Sequence, residues 1–128
     1  MEKIRAFLAA RPERAQEIMN LNPSYVFFRI LKDDQPIGAE GVALAPERSL
    51  AVDPAYVPLG APVWLDTADA GGMPLRRLVV AQDTGGAIKG AVRGDFFWGA
   101  GDDAAREAGA MQSPGRYYLL LPKAADGE

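Results

Sequence analysis

Fourteen glycines and ten prolines in 128 residues cut this chain into short apolar runs and leave few stretches long enough for a helix. From Tyr25 the run Tyr25-Val26-Phe27-Phe28-Arg29-Ile30-Leu31 is rich in the aromatic and β-branched residues that strands favour, and Asp33-Asp34-Gln35-Pro36 reads as its turn. Further strands are expected over Val42 to Leu44, Ser49 to Val52, Pro62 to Leu65, Leu75 to Gln82, Arg93 to Phe97 and Tyr117 to Leu121. Many short strands between such turns predict a mainly β chain closed as a barrel rather than an open α/β sheet. Helices are expected at two places. Ile4, Phe7 and Leu8 share one helical face, and Ala15, Ile18 and Met19 resume the period after Pro12, which suits a first turn. Two short helices within residues 2–20 form a lead-in over residues 1–23, closed by Asn20-Leu21-Asn22-Pro23-Ser24. Near the C-terminus, Asp102 and Asp103 precede good helix formers and Gly109 follows them, the order a single helix requires. Residues 24–124 are expected as the barrel domain, and residues 125–128 as a frayed tail.

Composition narrows the chemistry. There is no histidine and no cysteine, so imidazole bases, thiolate nucleophiles and zinc sites built from those ligands are excluded. Carboxylates must do any proton transfer near neutral pH. A formal net charge of −3 provides no basic footprint for nucleic acid. A cysteine-free chain fits a reducing or an oxidising compartment equally. The first residues lack the apolar core of a signal segment and no apolar run reaches membrane-spanning length, so a soluble polypeptide without an export address is expected.

Three aspartates stand out. Leu78-Val79-Val80-Ala81-Gln82 delivers Asp83 to a strand end where Thr84-Gly85-Gly86 must turn sharply; Asp83 there is either a site residue or the cap of a tight turn. Asp95 precedes Phe96-Phe97-Trp98, large apolar neighbours able to exclude water from a carboxyl group and favour its protonated form. Strand alternation alone equally allows Asp95 to face solvent. Asp53 ends an apolar pair before Pro54, and by itself reads as a turn acid. Trp98, Phe97, Tyr56 and Tyr25 offer ring faces on which sugars could stack, with core packing the competing use. Lys89 and Arg93 either pair with the acids or bind a substrate carboxylate. Neither GxGxxG nor GxxxxGK[ST] is present, so Gly85-Gly86 is no nucleotide loop.

Taken together, the segments Asn22-Pro23-Ser24-Tyr25-Val26-Phe27-Phe28-Arg29, Gly38-Ala39-Glu40-Gly41-Val42, Arg48-Ser49-Leu50-Ala51-Val52-Asp53, Val57-Pro58-Leu59-Gly60, and Ala81-Gln82-Asp83-Thr84-Gly85-Gly86-Ala87-Ile88-Lys89-Gly90 through Asp95-Phe96-Phe97-Trp98-Gly99 resemble the C-terminal region of the membrane-bound lytic murein transglycosylase A family. Its barrel is called the 3D domain after three aspartates. The resemblance implies a small six-stranded double-psi β-barrel without cofactor or metal. It also implies cleavage of the β-1,4 bond between N-acetylmuramic acid and N-acetylglucosamine in peptidoglycan glycan strands, leaving 1,6-anhydro ends. Carried over by position, Asp95 matches the catalytic acid, and Asp83 and Asp53 match its companions; Thr84, Gly85, Gly86, Lys89, Trp98 and Tyr56 are the expected glycan contacts beside them. Members of the family are periplasmic, associated with the outer membrane, and larger: further portions form the other wall of the glycan groove. This chain matches only the C-terminal part and has no lipoprotein cysteine. A half-groove forgoes remote substrate binding, so a non-catalytic glycan-binding barrel stands as the alternative, and hydrolysis through Asp83 or Asp53 as a third reading. An incomplete barrel edge is also compatible with strand exchange into a dimer.

Overall fold

The computed structural model describes residues 2–24, 27, 30 and 35–123. The chain divides into two compact units, Met1–Lys32 and Asp33–Glu128. In the first, α1 (Glu2–Ala9) and α2 (Pro12–Met19) occupy the expected positions. Pro12 sits in the first turn of α2, where its missing N–H costs nothing. The Arg11 guanidinium lies 4.5 Å over the Phe7 ring. The expected strand Tyr25–Leu31 falls mostly outside the described residues.

The second unit is one mixed sheet of β1 (Ser49–Val52), β2 (Pro62–Ala68), β3 (Pro74–Asp83), β4 (Gly94–Phe96) and β5 (Arg116–Leu119), with α3 (Asp102–Ala110) between β4 and β5. The strand order is β4-β1-β3-β2-β5. Among the described residues only the β1–β3 pair is parallel; β4 runs antiparallel to β1, and β2 is antiparallel to both β3 and β5. Alternate residues point inward, as the pleat requires. Leu50 and Val52 of β1, Val63 and Leu65 of β2, and Leu75, Val79 and Ala81 of β3 form the core together with Val57. Burying each Val or Leu stabilises the fold by about 1.5–3 kcal/mol. Phe96 from one outer strand and Tyr117 and Leu119 from the other pack on this same core, so the sheet curls.

Closure into a six-stranded double-psi barrel is not what the described residues show. Their sheet has five strands, with β4 and β5 outermost and not bonded to each other. Gly94 and Phe96 of β4 and Tyr117 of β5 line a common cleft with Met111, so a gap separates the two edges. Val42–Leu44 is not a strand either. The segment contributes a single bridge, Ile37 to Ala43, with the Gly38 N–H donating to the Val42 carbonyl, because Ala39 and Glu40 donate instead to Asp83 and Gln82 of β3. α3 runs through Gly109 to Ala110. Among the described residues, no helix is long and apolar enough to cross a membrane.

Candidate active site

Ala51 pairs with Asp83 of β3 on one side and with Asp95 of β4 on the other, so the two aspartates stand in one row across β1. Two strand spacings separate their backbones by roughly 10 Å. The residue between them is small, which leaves space over the row: Ala51, Asp83, Thr84, Ile88, Asp95 and Phe97 line a cleft of about 220 Å³. The Ala39 N–H donates to Asp83 Oδ1 at 3.0 Å. Arg93 Nε lies 3.8 Å from Asp95 Oδ1, with the two side chains 54% and 59% exposed, an arrangement that contributes little to stability.

The exposure of Asp95 departs from the expectation that its aromatic neighbours exclude water. β4 is an outer strand, Phe96 turns to the core, and Trp98 meets Phe96 edge to face, with ring centroids 5.0 Å apart. The rings pack on one another rather than over the carboxylate. Asp95 also borders a larger cleft, about 800 Å³, shared with Arg93, Trp98, Met111 and Gln112. The Trp98 indole Nε1 is buried with no hydrogen-bond partner among the described residues.

Asp53 stands apart, lining neither cleft. It is buried, 7% exposed. Its Oδ2 accepts from the Gly90 N–H at 2.8 Å and its Oδ1 from the Ala55 N–H at 3.1 Å. These amides, Gly90 first and then Ala55, hold the carboxyl below its ordinary value; burial opposes them and the Lys89 charge assists. Asp53 is therefore a fixed anion at neutral pH that ties the loop after Gly86 to the end of β1. Gly90 has φ +96°, a conformation glycine adopts without strain. The next residue is held from the opposite direction, the Tyr117 hydroxyl donating to the Ala91 carbonyl. Burial, with the nearby Asp53 charge second, pushes the Tyr117 hydroxyl above its ordinary value. Asp53 and Tyr117 thus fix successive residues of the segment that leads into β4 and Asp95.

Of the other expected site residues, Thr84 joins Asp83 in the cleft. Gly85 accepts the Ile88 N–H at 3.0 Å and sits so close to that side chain that a Cβ would stand 2.9 Å from Ile88 Cδ1. Gly86, Lys89 and Tyr56 are exposed and line neither cleft. Among the described residues no group of three or more acidic side chains is gathered as a metal site. Sequence reasoning missed Ser49, Gln82 and Tyr117, whose parts arise from pairings distant in the chain and leave no local signal.

Residues 48–121 match the family model for the 3D domain, and residues 1–29 match that for the MltA specific insert domain. The chain is 32% identical over 127 residues to the membrane-bound lytic murein transglycosylase A of Vibrio cholerae, covering 94% of this chain and 34% of that protein. Among solved structures, MltA from Neisseria gonorrhoeae is 45% identical with a TM-score of 0.87, over 98% of this chain and 32% of that one. Escherichia coli MltA with bound chitohexaose is 31% identical with a TM-score of 0.81, over 91% and 37%. The chain thus spans about a third of the length of these relatives.

Proposed function

Since the chain belongs to the 3D domain family, we propose that it supplies the acid-bearing wall of a peptidoglycan lytic transglycosylase, with the glycan lying across the Asp83–Ala51–Asp95 row. The pairing of both aspartates with one small residue carries this reading. Asp95 protonates the oxygen of the bond between N-acetylmuramic acid and N-acetylglucosamine as it breaks. As a carboxylate, it then accepts the proton of the muramic C6 hydroxyl while that oxygen attacks the anomeric carbon. The product is a 1,6-anhydro end and no water is consumed. Asp83, across Ala51, contributes negative charge that steadies the cationic sugar. Asp53 supports Asp95 through Gly90. The clefts on either side of Asp95 accommodate neighbouring sugars, a reading supported by the chitohexaose bound to the Escherichia coli relative. Residues 24–124 are the double-psi barrel domain in this reading. A periplasmic site of action at the outer membrane belongs to this reading, and relatives named as membrane-bound support it.

The exposure of Asp95 favours a second reading for the chain by itself. An acid of this kind works with water excluded, and the Asp95 side chain is 59% exposed, so the chain by itself could hold glycan without cleaving it. Prolonged digestion of sacculi followed by mass spectrometry tests both readings. Anhydro-ended products that disappear in Asp95→Ala support the transglycosylase, and reducing ends carrying labelled solvent oxygen overturn it. Retention on sacculi without any product selects the binding function.

A further inference from the structure

We propose that Gln82, Ser49 and Gly38 are positioning residues that hold a bulge in β3, and that this bulge brings Asp83 onto the row of Asp95; the functional part of this inference rests on the site proposed above. The register of β1 against β3 runs Leu50 to Ala81 and then Ala51 to Asp83, skipping Gln82. Side chains alternate along a strand, and Val79 and Ala81 both point into the core, with 1% and 0% exposure. Unbroken alternation would send Asp83 inward after them, where an unpaired carboxylate is strongly disfavoured. One extra residue reverses the face of everything beyond it. Asp83 therefore lies opposite Ala51, facing the same cleft as Asp95.

The extra residue is held on three sides. Ser49, 1% exposed, donates its hydroxyl to Gln82 Oε1 at 2.6 Å and accepts the Ala45 N–H at 2.9 Å, so its orientation is fixed. The Gln82 carbonyl accepts the Glu40 N–H at 3.2 Å. Gly38 packs against that same carbonyl so tightly that a Cβ there would overlap the oxygen and stand 2.6 Å from Leu44 Cδ2. The loop that secures Gln82 also delivers the Ala39 N–H to Asp83 Oδ1. Bulge and carboxylate are thus seated by one segment, and loosening the first releases the second.

The Ala39 amide resonance, followed by NMR as pH is varied, tests this directly. In the unaltered chain the resonance moves as Asp83 ionises, because its N–H donates to that carboxylate. Asp83→Asn measures what remains from Glu40, the next residue in the loop, and from Asp95 and Arg93 across the row. In Ser49→Ala, and in Gln82→Met as a second variant at a less buried position, the movement is expected to fall to the Asp83→Asn level, and Ser49→Thr is expected to restore it. Full movement in a folded Ser49→Ala or Gln82→Met variant overturns the proposal. Turnover plays no part in this measurement. Loss of the Ala39 response in Ser49→Ala and Gln82→Met, in a protein whose unaltered chain neither cleaves nor retains sacculi, sinks the proposed function alone, and anhydro products from the unaltered chain together with a full Ala39 response in those variants sink the positioning role alone.

Discussion

Asp53 and Asp95 are both acids at strand ends or edges, yet the first is buried and the second exposed. Two backbone amides hold the Asp53 carboxyl below its ordinary 3.8. A carboxyl group whose folded value is depressed adds stability above its unfolded value, and that stability is lost as pH falls through the lower folded value. Asp53→Asn keeps one acceptor oxygen and cannot ionise. Its melting temperature is expected to lie below that of the parent at neutral pH. The gap should close as the solution is acidified from about pH 4 through the depressed folded value, which thermal melts across that range would show. A gap that stays constant on acidification would exclude Asp53 as the ionised anchor of Gly90. Sequence alone showed that carboxylates must carry any proton chemistry, because histidine and cysteine are missing. It could not separate the buried anchor from the exposed acid, since both Asp53 and Asp95 follow or enter short β runs and their hydrogen-bond partners lie elsewhere in the chain.

At the scale of elements, patterning located most of the sheet. Ser49–Val52 is a strand with the expected bounds, Pro62–Leu65 extends to Ala68, and Leu75–Gln82 extends by one residue at each end. Periodicity reads these well because one face of each is buried. Val42–Leu44 misled because apolar content there serves a loop: Leu44 is buried, at 5% exposed, as a plug beside Gly38 rather than as part of a ladder. The bulge at Gln82 was likewise hidden, since register depends on what stands opposite. Gly38 tests the loop's role. Gly38→Ala places a methyl group against backbone that cannot rotate away, and overpacking of this kind costs about 1–3 kcal/mol. Denaturant titration would measure that loss, together with faster hydrogen exchange at the Ala39 and Glu40 amides. An unchanged midpoint would mean the loop can move off Gln82 freely, leaving the carbonyl contact without structural consequence.

In the Asp33–Glu128 unit as a whole, one core serves both the fold and the site. Leu50, 1% exposed, is placed where these interests meet: it pairs with Ala81 of β3 and Phe96 of β4, and it lines both the aspartate cleft and the gap between the outer strands. A Cβ added at Gly94, next to Asp95, would stand only 3.2 Å from Leu50 Cδ1, so the strand carrying the acid rests directly on this side chain. Leu50→Ala is expected to cost about 2–5 kcal/mol through lost burial and the cavity left behind. For a unit of this size that lowers the melting temperature by on the order of 15 °C. With a single core, tryptophan fluorescence from Trp64 and Trp98 and the retention on sacculi proposed above should disappear together, since small domains of this size usually unfold in one step. Thermal melts recorded by fluorescence and by sacculus binding on the same sample would decide the point. Retention lost well below the fluorescence transition would show the aspartate row loosening separately from the sheet, and would argue that β4 depends on contacts other than Leu50 for its position.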